Sequence, residues 1–119
     1  MAENVIARAP VTCEVAGRSY ALEPTIRRCV DLCNTFDGAL PAMRSLANGN
    51  FVTVATVIRI GAGLKLDSDK WDAFLAEVRD ETARKDTEIF NACSDFVSMV
   101  FNGGRPSSDG DGQGDASGN

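Results

Sequence analysis

From Thr87 to Phe101 the chain repeats apolar residues at helical spacing: Ile89, Phe90, Cys93, Phe96, Val97, Val100 and Phe101 stand one, three or four places apart. Steps of three and four return a side chain to the same face of an α-helix, so the segment reads as an amphipathic helix. Most of the stability of such a helix in water comes from packing its apolar face, so the rest of the chain must supply a body to cover it. Asn102-Gly103 stops the pattern, and the composition then changes abruptly. Residues 103–119 read GGRPSSDGDGQGDASGN, with no large apolar side chain. Burial cannot offset the ordering entropy of such a stretch, and it is expected to be disordered. Asp109, Asp111 and Asp115 fall at spacings loosely like those of a calcium loop, but the acidic twelfth position of that loop would lie beyond Asn119. A solvated tail is the expectation.

Upstream, the same reading gives a short β-hairpin and further helices. Val11, Cys13 and Val15 alternate with Thr12 and Glu14, the period of a half-buried strand. Ala16-Gly17-Arg18 supplies a turn, and Tyr20 and Leu22 continue on a second strand. Residues 1–10 are expected to be flexible. A first helix over 25–36 is predicted with Thr25 as N-cap, an apolar face of Ile26, Cys29, Val30, Cys33 and Phe36, and an end at Asp37-Gly38. A second over 41–47 has Pro41 in its first turn and carries Leu40, Met43, Leu46 and Ala47; Asn48-Gly49-Asn50 closes it and can cap the next helix.

Residues 51–64 are ambiguous. FVTVATVIRI is rich in β-branched residues and suits a buried strand. Its length, and the helical spacing of Phe51, Val54, Ala55, Ile58 and Ala62, favour a helix over 51–62 ended by Gly61-Ala62-Gly63. A helix over 68–83 follows, capped by Asp67 or Ser68, with Trp71, Phe74, Leu75, Val78 and Thr82 on one face. The last, over 87–101, is capped by Asp86 or Thr87. The predicted fold is therefore mainly α (α+β): a single domain over 11–102 with an N-terminal β-hairpin and a bundle of four to five helices.

Few residues point to chemistry. The sequence has no histidine, the usual general base and commonest metal ligand. Cys29 and Cys33 share a helical face, but no C-x-x-C knuckle accompanies them, so all four cysteines are read as small core hydrophobes rather than as a zinc site. Gly61-Ala62-Gly63 lacks the rest of a phosphate loop. Asp67, Asp69 and Asp72 cluster at a helix start, where carboxylates favour the macrodipole. No enzyme, cofactor or metal is expected. The net charge of −5 and the absence of any Lys/Arg run longer than two argue against nucleic acid. No apolar run approaches the ~20 residues of a membrane span, and nothing resembles a signal peptide, so a cytoplasmic protein is expected. What remains is surface recognition. Phe51, Phe74, Phe90, Phe96 and Phe101 offer more large apolar surface than a minimal core requires, and some of it is available for a groove that holds another chain's amphipathic segment.

The order of hairpin with Gly17 at its turn, the helix TIRRCVDLCNTFDGAL, a small-residue loop, FVTVATVIRIGAGL and a final helical pair resembles the small phage-tail assembly proteins of gene transfer agents and related long-tailed phages. The resemblance spans roughly residues 11–101 and rests on Gly17, Leu22, Gly38-Ala39-Leu40, Phe51, Val57 and Ala62-Gly63-Leu64, with Asp37 near the acidic residue that members often place before Gly-Ala-Leu. The last two helices match only in character, and the tail not at all. The resemblance implies a tail assembly chaperone that coats the tape-measure protein, keeps its apolar segments from aggregating and helps to recruit tail-tube subunits in the host cytoplasm, with a homo-oligomer possible. The contact residues expected on that basis are Phe51, Val54, Ile58, Phe90, Val97 and Phe101. The alternatives are a minor structural subunit of a tail or connector, or a small regulatory binding domain.

Overall fold

A computed structural model describes residues 11–84 and 87–102, the side chain of Thr87 apart. Strands β1 (Val11–Val15) and β2 (Arg18–Leu22) pair antiparallel, with Val15 opposite Arg18 and Val11 opposite Leu22. The turn is two residues long rather than three. Ala16 and Gly17 both take positive φ (53° and 80°), the twist that closes a tight hairpin, and Arg18 already belongs to β2. Cys13, Val15 and Leu22 point into the core, as their alternation requires.

Five helices follow: α1 (Ile26–Phe36), α2 (Ala39–Ala47), α3 (Phe51–Ala62), α4 (Ser68–Ala83) and α5 (Thr87–Phe101). Three starts are capped as the sequence leads one to expect: Thr25 accepts from the Arg28 N–H, Asn50 from Val52 and Thr53, and Asp67 from Lys70. Between α1 and α2 it is Asp37 that takes the left-handed conformation, at φ 62°, while Gly38 at φ 116° opens α2 two residues earlier than predicted. The predicted cap Asp86, the stretch 1–10 expected to be flexible and the stretch 103–119 expected to be disordered lie outside the described residues.

The ambiguous segment is a helix, and its strand-like composition has a physical cause. α3 packs against β2 and against all four other helices. Every residue from Thr53 to Ile58 is buried, and a helix enclosed on all sides has no use for a polar face. The buried hydroxyls are satisfied: Thr53 meets Ser45, and Thr56 donates to the Val52 carbonyl at 2.7 Å. Gly61 lets α3 approach β2 and α5 closely. A Cβ there would stand 3.2 Å from Leu22 and from Phe96. Gly63, at φ 68°, ends the helix, and the Leu64 N–H closes it on the Arg59 carbonyl at 2.9 Å.

The hairpin is fastened to α4. The Ala16 N–H donates to Glu81 at 3.2 Å, and the Arg18 guanidinium bonds Glu77 and Tyr20. Tyr20 meets Phe74 edge-on at 5.8 Å. One apolar core, with Phe96, Leu22, Leu32 and Ile58 among its largest fully buried side chains, joins the hairpin to the bundle. No helix among the described residues is long and apolar enough to cross a membrane.

Candidate partner-binding surface

The expected contact residues divide sharply. Val54, Ile58 and Val97 are fully buried and form part of the core, so they present nothing to another chain. Their helical spacing signalled packing within the domain, and on α3 it marks the innermost helix. Phe51 and Phe90 are half-buried against the core. Phe101 alone of the six is exposed, at 57%, one residue before the described part of the chain ends.

The surface that does emerge lies on α1, which the sequence reading assigned to the core. Its buried residue is Leu32, at 0% exposure, with Cys29 and Phe36 half-buried beside it. Ile26 is 58% exposed, Val30 38%, and Cys33 is exposed as well. These three stand at steps of four and three, so they form a strip along the helix. At ~100° per residue, Leu32 and Val30 lie about 160° apart around the axis. Apolar residues therefore span a wider arc than one buried stripe covers. The helix turns Leu32 inward and leaves Ile26, Val30 and Cys33 outside. The width of that arc was the signal available in the sequence. Merging Ile26, Cys29, Val30, Cys33 and Phe36 into one face concealed it by omitting Leu32.

Other apolar side chains are exposed nearby in the chain. Leu40, at 49%, is on α2, whose buried residues are Ala39, Ala42 and Leu46; of the apolar residues read on this helix, Leu46 is buried, Met43 is half-buried against the core, and Leu40 and Ala47 are exposed. Val52, at 43%, is in the first turn of α3. On α4, Phe74 and Val78 are buried while Trp71, Leu75 and Thr82 are half-buried, as the predicted face requires. A separate hollow of about 330 Å³ is lined by Tyr20, Leu64, Leu66 and Phe74, together with the ion-paired Arg18 and Glu77.

The cysteines separate in the same way. Cys13 and Cys93 are buried, and the Cys93 thiol donates to the Val54 carbonyl at 3.8 Å. Hydrogen bonding with Cys13, then burial, pushes the Cys93 thiol well above its ordinary pKa. Burial, then the neighbouring Cys33, raises Cys29, whose Sγ lies 3.6 Å from the Pro24 carbonyl. Cys33 is exposed, contrary to the expectation that all four serve the core. Among the described residues no group of three or more Cys, Asp or Glu is arranged to hold a metal ion. No protein-family model matches the chain, and no curated protein or solved structure matches it.

Proposed function

We propose that this chain is a tail assembly chaperone that binds and shields the tape-measure protein, seating an amphipathic helical segment of that protein along the outer face of α1. The observation that carries this reading is the strip of Ile26, Val30 and Cys33, exposed on a helix whose opposite side is anchored in the core by Leu32. Apolar side chains aligned on one exposed helix face favour a second apolar helix face, because each covers the other from water. Shielding stabilises by roughly 20–33 cal/mol for each Å² of apolar surface hidden. One short strip therefore gives a weak, reversible contact. Many copies along one long chain protect it through effective concentration and still come away when the tail assembles. The work is physical, with no bond made or broken.

Co-expression with a long helical tape-measure protein tests the reading. The expected result is a soluble complex in which Cys33 is protected from a maleimide that labels it in the free domain. Ile26→Gln/Val30→Gln should lose the complex while keeping the helical circular-dichroism signal. No complex, or a complex indifferent to that double substitution, would count decisively against it. Recovery of the chain in finished particles at fixed copy number would instead make it a structural subunit.

A further inference from the structure

On the other flank of α1 lies a second feature, which the strip does not use. Arg27, Arg28 and Asp31 of α1 face Arg59, Ile60 and Gly63 at the end of α3, with Leu64 and Lys65 just beyond, around a cleft of about 330 Å³. The chain carries a net charge of −5, yet four cations line this one hollow. Arg28 has structural work. It donates to the Gly61 carbonyl at 3.0 Å and pairs with Glu23 at 3.4 Å. It thus neutralises the C-terminal end of α3, where the helix dipole places about half a negative charge. Arg27, Arg59 and Lys65 remain, and none forms an ion pair among the described residues. Against them stands the single carboxylate of Asp31. Arg59 is held in place by stacking, its guanidinium carbon 4.9 Å from the centre of the Trp71 ring. Its Nε is buried with no hydrogen-bond partner among the described residues. A buried donor left unmatched favours any acceptor that can reach it.

We propose that this cleft binds carboxylate side chains of an acidic peptide segment. The proposal stands apart from the reading of the α1 strip. Three cations against one carboxylate leave two positive charges in excess to attract an anion, and the planar guanidinium of Arg59 suits a carboxylate's two oxygens. The buried Ile60 and half-buried Leu64 in the same wall suit the methylene stem that carries a glutamate head. A nucleic acid fits less well. Its backbone needs a stripe of phosphate contacts, whereas here the positive region is one small hollow in an acidic protein.

The test uses the full chain and a short fluorescein-labelled helical peptide with glutamates at steps of four, beside the same peptide with glutamines. Fluorescence anisotropy reads binding, and the emission of Trp71, the sole tryptophan, reports on Arg59 directly. The glutamate peptide should bind and shift the Trp71 emission, and the glutamine peptide should bind roughly tenfold more weakly. Raising salt from about 50 to 300 mM should narrow that difference, because the charges are partly exposed. Arg27→Glu/Lys65→Glu changes two exposed side chains, so the fold should persist by circular dichroism while the preference for glutamate disappears. Equal binding of the two peptides, an undiminished glutamate preference in the double variant, or tighter binding of duplex DNA than of the glutamate peptide would each overturn the proposal.

Discussion

Gly61 shows what a single missing methyl group does in this core. A Cβ at that position meets Leu22 and Phe96, both fully buried, at 3.2 Å. Leu22 is met partly at its own Cβ, which cannot move without the strand. Gly61→Ala should gain about 0.5–1 kcal/mol from helix propensity and lose about 1–3 kcal/mol to overpacking. The expected outcome is net destabilisation of about 1 kcal/mol, read as a lower denaturant midpoint. Cys93 makes a pH prediction. Its folded pKa is raised, by hydrogen bonding with Cys13 and then by burial. Below the ordinary thiol value of about 8.5 both folded and unfolded chains keep the proton, and its contribution to stability is complete. Above that value only the unfolded chain ionises, so stability falls as pH rises towards the raised folded value. The slope is at most about 1.4 kcal/mol per pH unit for one thiol. Denaturant titrations of wild type and Cys93→Ala from about pH 8 to 10 should show a shallower alkaline decline in the variant, whatever its stability at neutral pH.

At the scale of elements, the hairpin and five helices were legible because punctuation and period agreed. Thr25, Asn50 and Asp67 cap where a polar side chain precedes an apolar run, and Gly63 takes the left-handed conformation that ends α3. Facing was less legible. On α1 and α2 the apolar residues cover too much of the circumference for spacing alone to say which side turns inward, and the neighbours of each helix decide. This has a direct consequence. Leu32→Ala should cost about 2–5 kcal/mol, the usual range for emptying a fully buried leucine site. Ile26→Gln/Val30→Gln, on the outer face of the same helix, should change stability by no more than about 0.5 kcal/mol. Thermal melts of the two variants side by side measure the contrast, and similar losses would mean that α1 is turned the other way.

The molecule as a whole shares one core, and its elements are not separable. α3 touches β2 and every other helix, β1 packs on α5, and α4 holds the hairpin turn through Glu77 and Glu81. No part of this arrangement has an apolar interior of its own, so unfolding should be a single cooperative step. Far-UV circular dichroism, which follows all the helices, and Trp71 fluorescence, which follows the packing of α4 against the end of α3, should give coincident denaturation curves. Separated midpoints would show that α4 leaves the body first. The candidate site belongs to this scale too. Of the six contact residues expected from the sequence, Val54, Ile58 and Val97 are interior, because the helices bearing them were enclosed by others.

The order of strands and helices, their caps and most of their limits follow from the sequence alone, because hydrogen bonding to cap residues and the 2.0 and 3.6 periods are local properties of the chain. Exposure is not local. Whether an apolar residue is core or surface depends on which elements pack against it, and those contacts join residues far apart in sequence. Only the tertiary structure could turn Ile26, Val30 and Cys33 outward and Leu32 inward. Likewise, only folding brings Arg27 of one stretch and Arg59 and Lys65 of another, about thirty residues on, around one cleft.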